Sequence, residues 1–356
     1  MSGDAAAGRR QNGMELMAKD AATSLDVARL AGVSQSAVSR VFTPGASVSP
    51  RMADKVRKAA DTLGYRPNIL ARSLITGRSR IIGLVVAYFE NQFYPEAVEK
   101  LSHALQAEGY HVLIFMATLT ADNVDQLLQD LLDYQVDGIV MASVSMSSEL
   151  TTRCCNAGIP VVLFNRSQDD ERLSAVTSEN HTGGRRVAEF LLAGGHQRIG
   201  YIAGWEGAST QRDREQGFLD GLAAAGVSLF AREVGNFHFD LTQQAARRMF
   251  DKPVLPDAVF VANDHMALAV METLRAEFGL SVPEDVSVVG YDDVGLASWP
   301  SFSLTTVRQP SNRMVDETVK ILMTQISTGE YKPRRVAIDG PLIVRKSARI
   351  PEGWPL

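Results

Sequence analysis

Between Thr23 and Arg80 apolar residues recur at helical spacing, whereas from Ile81 onward they gather into short runs separated by helical stretches. In the first segment, Thr23-Ser24-Leu25-Asp26 reads as a helix start, a hydroxyl cap with an acid in the first turn. Leu25, Ala28, Leu30 and Ala31 supply its apolar face and Gly32 ends it. Val33 fills a turn, and Ser34 caps a second helix from Gln35 to about Phe42, with Val38 and Val41 inward and Gln35, Ser36, Ser39 and Arg40 outward. A third helix opens at Ser49-Pro50, a cap plus a proline at the first helical position, carries Met52, Val56, Ala59 and Leu63 as a stripe, and closes at Gly64. Two short helices joined by a glycine-containing turn form a helix-turn-helix, whose second helix can enter a DNA major groove.

Beyond it the period changes. Ile81–Tyr88, Tyr110–Phe115, Gly138–Ala142 and Pro160–Phe164 read as strands, with helices Pro95–Glu108, Ala121–Tyr134 and Ser147–Ala157 between them. The rhythm resumes at Ala175–Thr177, Ile199–Ala203, Ala258–Ala262 and Val286–Tyr291. Two runs of β-α units imply two parallel sheets flanked by helices. Ligands bind beyond the carboxyl ends of such strands, so two facing sheets make a cleft.

Composition narrows the class. The chain has 356 residues, 45% hydrophobic and 22% charged, an ordinary globular balance with room for two or three domains. The longest apolar run, Ile81 to Phe89, is too short to span a bilayer, and the first 22 residues lack the apolar core of an export signal. The adjacent cysteines Cys154 and Cys155 give no disulfide framework. A reduced, cytoplasmic, soluble protein is the expectation, associated with the nucleoid if its head binds DNA. The net charge of −5 conceals a split: Thr23 to Arg80 holds ten basic residues against three acidic, a net +7, and the rest carries −12. A basic head on an acidic body suits a polyanionic partner for the head alone.

Enzyme signatures are missing: no Gly-x-Gly-x-x-Gly, no Walker loop, no His-Glu-x-x-His and no metal-spaced Cys/His set. The expectation is therefore no catalytic residue, no metal and no cofactor. The pairs Gly183-Gly184 and Gly194-Gly195 read as helix starts or ends, and the six histidines are scattered.

Leu25-Asp26-Val27-Ala28-Arg29-Leu30-Ala31-Gly32-Val33-Ser34, then Ala37-Val38-Ser39-Arg40-Val41, resembles the head of the lac repressor/gal repressor family of bacterial transcriptional regulators. Leu63-Gly64-Tyr65-Arg66-Pro67-Asn68 and Ala71-Arg72-Ser73-Leu74 continue the likeness into that family's hinge. Gly195-His196-Gln197-Arg198-Ile199-Gly200-Tyr201-Ile202-Ala203-Gly204, Val261-Ala262-Asn263-Asp264, Val289-Gly290-Tyr291-Asp292-Asp293 and Leu304-Thr305-Thr306-Val307 resemble its periplasmic-binding-protein-like core. The likeness covers the chain from about Thr23. It departs at Phe42-Thr43-Pro44-Gly45, where the family usually places Asn after the recognition helix.

The resemblance implies an N-terminal all-α helix-turn-helix head plus hinge helix, followed by an α/β core of two parallel-sheet subdomains. Residues 1–22 form a flexible extension, 23–67 the DNA-binding domain, 68–80 the hinge, 81–350 the effector core and 351–356 a tail. The first subdomain takes about 81–175 and 309–335, and the second about 176–304 and 338–350. DNA contacts fall to Ser34, Gln35, Ser36, Ser39 and Arg40, with Ala71 and Leu74 in the hinge, Leu74 as a minor-groove wedge. Arg suits guanine and Gln suits adenine at major-groove edges. Effector contacts fall to Phe93, Tyr94, Asn165, Arg214, Phe239, Asn263 and Asp292, with Asn165 where some members carry an acid. Aromatic faces with polar groups suit a sugar, and Arg166, Arg212 and Arg214, if adjacent, would suit an anionic one. The implied whole is a homodimeric repressor on a pseudo-palindromic double-stranded operator, controlled by a small-molecule effector that closes the cleft, with no membrane partner. Two other readings stay open: a solute-binding protein, and a helix-turn-helix joined to a sugar-kinase-like domain.

Overall fold

A computed structural model describes residues 22–43, 46–66, 78–117, 121–144 and 146–354. The chain divides into two compact units, one ending at Gly77 and one beginning at Arg78.

The first unit holds α1 (Ser24–Ala31), α2 (Gln35–Val41) and α3 (Pro50–Leu63). Thr23 and Asp26 close α1 reciprocally: Thr23 Oγ1 accepts from the Asp26 amide at 3.3 Å, and Asp26 Oδ2 accepts from the Thr23 amide at 3.0 Å. Ser34 Oγ accepts from the Ala37 amide at 3.2 Å and starts α2. Ser49 sits at the start of α3 without a side-chain cap bond, so Pro50 carries that boundary. Gly32 and Gly64 both end their helices at φ 64°, the left-handed conformation that glycine adopts without strain. The core is small: Val27, Ala28, Ala31, Val38, Val56, Ala59 and Ala60, with Phe42 and Tyr65 against it. Leu25 and Leu30, expected inward, are instead more than half exposed, and Val27 takes their place. Leu63 also lies near the surface, with Ala60 buried in its stead.

The second unit is built on two six-stranded sheets. The first contains β1 (Ile81–Ala87), β2 (His111–Ala117), β3 (Gly138–Ala142), β4 (Val161–Phe164), β5 (Ser174–Ser178) and β11 (Arg335–Ile338), in the order β11-β5-β4-β3-β1-β2. The second contains β6 (Ile199–Ala203), β7 (Ala231–Val234), β8 (Ala258–Val261), β9 (Ser287–Asp292), β10 (Thr305–Arg308) and β12 (Leu342–Ile343), in the order β12-β10-β9-β8-β6-β7. All pairings are parallel except β10 with β12. In the first sheet Leu84 lies in register with both Ile114 and Val140, and buried β-branched runs of this kind need helices on both faces.

Those helices are α4 (Phe93–Ala107), α5 (Ala121–Asp133), α6 (Ser148–Asn156), α7 (Asn180–Ala193), α8 (Ser209–Ala224), α9 (Phe239–Phe250), α10 (Asp264–Glu277) and α11 (Ser311–Thr328). The strand that the sequence reading divided near residue 175 runs whole to Ser178 and pairs with β4 in the first sheet. Likewise β10 pairs with β9, so the second sheet extends to Arg308, and β11 keeps the first sheet through Ile338. The chain thus passes between sheets three times. Short edge strands such as β7 and β12 carry too little periodicity to announce themselves in sequence.

The glycine pair at 183–184 neither starts nor ends α7; it lies within its first turns. A Cβ at Gly184 would lie 2.0 Å from the Arg214 carbonyl oxygen, and one at Gly217 1.9 Å from that of His181. Bare backbone at these two positions lets α7 and α8 touch, which fixes the height at which Arg214 leaves α8. Gly194 and Gly195 do end α7, with Gly195 at φ 77°.

Candidate functional site

Two sets of side chains carry chemistry, one in each unit. In the first, Ser34, Gln35, Ser36, Ser39 and Arg40 are all exposed on α2 or at its start. Their contacts are local: Ser34 Oγ and Ser36 Oγ lie 3.0 Å apart, and Gln35 Nε2 donates to Ser24 Oγ at 2.9 Å. Exposed bonds of this kind exchange readily for bonds to base edges. Arg51, Lys55, Arg57 and Lys58 are exposed on α3 and add positive charge. Ala71 and Leu74 lie outside the described residues.

In the second unit, the loops after the strands converge on a polar cavity of about 10 Å³, room for about one water. Tyr88, Asn91 and Tyr94 arrive from β1, Asn165 and Arg166 from β4, Thr210 and Arg214 from β6 through α8, Phe237 from β7, Asn263 from β8 and Asp292 from the end of β9. Each lies at a carboxyl end, where the alternation of strand order in both sheets opens a crevice.

Arg214 is the most constrained of them. Its Nε donates to Asn180 Oδ1 at 2.9 Å and its Nη1 to the Ala262 carbonyl at 2.6 Å. Its Nη2 lies 3.3 Å from Asp292 Oδ1, and its guanidinium sits 3.7 Å from the Tyr291 ring centroid. Both partners of the pair are almost fully buried, so each depends on the other's charge. Asp292 also accepts from Asn91 Nδ2 at 3.0 Å and from Gln309 Nε2 at 2.7 Å. Burial raises the Asp292 carboxyl above its ordinary value, against the pull of Arg214 and of these donors.

Asp264 stands behind Asp292. It accepts from Thr306 Oγ1 at 2.6 Å and from the Val294 amide at 2.9 Å, and so ties α10 to strand β10 and to the loop that follows β9. Burial, then the nearby Asp292, pushes its carboxyl up to about 7.

The first sheet contributes a different arrangement. Asn165 Nδ2 donates to the Tyr94 hydroxyl at 2.9 Å. Arg166 is 7% exposed, donates from Nη1 to the Ser143 carbonyl at 3.0 Å, and lies 5.7 Å from the ring centroids of both Trp205 and Phe237. Burial pulls the Arg166 guanidinium below its ordinary value. Across the cavity the Tyr88 hydroxyl donates to the Phe237 carbonyl, and the Ser167 amide donates to Ser209 Oγ at 2.9 Å.

Backbone strain gathers here as well. Tyr88 (φ 78°), Asn165 (70°), Phe237 (64°) and Asp292 (128°) line the cavity in a region that non-glycine residues avoid. Such conformations cost on the order of 1–3 kcal/mol each and cluster where a side chain must be aimed.

Of the residues expected at an effector site, Tyr94, Asn165, Arg214, Asn263 and Asp292 meet at the cavity. Asn263 also caps α10, accepting from the Met266 amide at 3.0 Å. Phe93 lines an adjoining open cleft of about 410 Å³ together with Lys100, Arg308 and Arg313, and stacks on Phe164 at 6.2 Å. Phe239 packs on His265 at 5.9 Å and does not line the cavity; Phe237, two residues earlier, does. Arg166 and Arg214 share the cavity, but Arg212 is exposed and paired with Asp213 at 3.0 Å. Sequence reasoning assigned no role to Tyr88, Asn91, Asn180, Asp264 or Gln309, whose parts depend on partners far away in the chain.

Among the described residues no group of three or more His, Cys, Asp or Glu side chains is placed to hold a metal. Among the same residues no helix is long and apolar enough to cross a membrane.

The arrangement has known counterparts. Residues 23–68 match the model of bacterial regulatory proteins of the lacI family, and residues 188–348 that of a periplasmic-binding-protein-like domain. The HTH-type transcriptional regulator CelR of Thermobifida fusca is 35% identical over 90% of this chain and 96% of its own length. A solved CelR–cellobiose complex is 33% identical with a TM-score of 0.69, over 92% of this chain and 99% of that one. A lac repressor dimer bound to operator and the anti-inducer ONPF is 28% identical with a TM-score of 0.82, over 92% of this chain and 98% of that one. The chain belongs to the lacI family of bacterial regulatory proteins.

Proposed function

We propose that the protein is a sequence-specific DNA-binding repressor whose operator affinity is set by a small polar effector held between the two sheets. The reading rests on one observation: a single chain joins an exposed, capped recognition helix to a buried polar cavity built at strand ends. The exposed helix reads bases, because Gln35, Ser36 and Arg40 are free to exchange their local contacts. The cavity binds a ligand, because strained backbone and a paired arginine have no other evident use there. Support for a carbohydrate-like effector comes from the cellobiose complex of CelR, and for operator DNA from the lac repressor complex.

Domain limits follow the same reading: a DNA-binding head from 23 to 67, a hinge from 68 to 80 and an effector core from 81 to 350, divided into lobes by sheet membership. The protein acts as a regulator, not an enzyme, in the cytoplasm and on the nucleoid. It works as a homodimer on a pseudo-palindrome. Ile114 and Met116, half exposed on edge strand β2, suit the shielded surface that such a dimer requires. The cavity holds about one water, so the two lobes part to admit the effector and close again on it, exchanging contacts such as Tyr88 with Phe237 for contacts to the ligand.

Selection of binding sites from a random DNA pool by the full chain tests the reading. A pseudo-palindromic site should emerge, in which each single base-pair change costs about 1–3 kcal/mol. Recovery of DNA without shared sequence would overturn it.

A further inference from the structure

The charges around the cavity do not balance. Arg214 is matched by Asp292 at 3.3 Å, but Arg166 has no carboxylate within 4.0 Å among the described residues. Its neighbour Asn165 is an amide and supplies no counter-charge. The rings of Trp205 and Phe237 hold the guanidinium, and Ser143 takes one of its donors, yet Arg166 Nε is buried without a hydrogen-bond partner. Two further buried polar atoms on the same lobe share that condition, Asn165 Oδ1 and Ser143 Oγ. Buried polar atoms are nearly always bonded, so three together mark a place where bonds are completed by something else.

The unmet needs are specific. Arg166 Nε–H wants an acceptor, and a guanidinium edge favours a carboxylate or phosphate oxygen. Asn165 Oδ1 wants a donor, which a hydroxyl provides. The first turn of α8, which holds Ser209 and Thr210, has no side-chain cap and adds positive potential from its amides.

We propose that the effector is a hydroxylated acid, a sugar acid or sugar phosphate, whose anionic group seats on the Nε edge of Arg166 and whose hydroxyl meets Asn165. This rests on the effector-site reading above and narrows it to a charge class. Arg166 is then the residue that distinguishes an acid from its neutral parent sugar.

Trp205, stacked on Arg166, supplies the probe. The full chain is titrated with inorganic phosphate and with matched pairs, galactose against galacturonate and glucose against gluconate and glucose 6-phosphate, while tryptophan fluorescence and operator affinity are followed. Phosphate should change the tryptophan emission in the native protein but not in a Trp205→Phe variant, and at least one acid should bind about tenfold or more tighter than its neutral parent, the size of one charge-assisted hydrogen bond. Arg166→Gln should erase that preference and the phosphate response. Arg166→Lys, which keeps the charge without the planar fork, should retain a weaker form of both. Neutral sugars binding as tightly as their acids, or a phosphate response absent in the native protein or unchanged in Arg166→Gln, would overturn the anionic assignment. A neutral sugar that shifts operator affinity would leave the effector reading standing while this inference falls. A ligand that binds through Arg166 without changing operator affinity would defeat the effector reading alone.

Discussion

The two units solve opposite problems. In the head, side chains assigned to DNA lie on the surface, bonded only to near neighbours, and the core beneath them is a few valines and alanines. In the body, the side chains assigned to the effector are buried, Phe239 apart, and Asp292 is joined to Asn91, 201 positions away. Surface chemistry of the first kind is read one helix at a time. Buried chemistry of the second kind exists only once the fold is complete, and its energetic coupling to stability is strong for the same reason.

The sharpest break of this comparison is Asp292→Ala. Removing the carboxylate leaves Arg214 buried without its counter-charge, so the body should lose about 3–5 kcal/mol. Denaturant unfolding followed by tryptophan emission measures it, since all three tryptophans lie beyond Gly77. A loss below about 1 kcal/mol, the worth of an exposed pair, would mean that the pair is effectively solvated. Next comes Arg40→Ala in the head. It should leave stability within about 0.5 kcal/mol of the native protein while costing about 1–3 kcal/mol of operator discrimination. Binding to operator and to single-base variants separates those two quantities.

A third test uses pH. Asp264 is raised from an ordinary 3.8 to about 7 in the folded body, so folding favours its protonated form. The stability that this contributes is complete below about pH 3.8 and is lost as pH rises through 7. Body stability should therefore fall between about pH 3.8 and about pH 7, by at most about 1.4 kcal/mol per pH unit, and level off above that. Asp264→Asn should flatten that slope, and an equal slope in both proteins would locate the titration elsewhere. The smallest effect is expected for Thr23→Ala, which removes the hydroxyl that caps α1 and should cost the head about 1 kcal/mol, read as a lower head melting temperature by circular dichroism.

What was legible in sequence follows the same division. The helical head could be read because its caps, glycines and exposed polar residues are local signals; the inward faces were misjudged where Val27 displaces Leu25 and Leu30 in α1 and Ala60 displaces Leu63 in α3. The central strands were found within a residue or two, since buried parallel strands are continuous apolar runs. The edge strands β7, β11 and β12 and the strand β10 were not, because pairing rather than composition defines them. At the cavity, Tyr94, Asn165, Arg214, Asn263 and Asp292 meet as expected. Phe239 gave way to Phe237 because the backbone turns through positive φ at 237, a conformation that a phenylalanine does not advertise. Asp264 and Asn91 were invisible for a plainer reason: an Asp or Asn acquires its role from partners that only the tertiary fold supplies.

The central claim is that ligand in the body and operator at the head share one free-energy balance. Calorimetric titration of the effector into the full chain, with and without saturating operator, tests it most directly. Linkage requires the ligand's affinity to change by the same factor by which the ligand changes operator affinity, about 5- to 150-fold for typical allosteric coupling. Matching factors would support the account, and identical effector affinity with and without operator would contradict it.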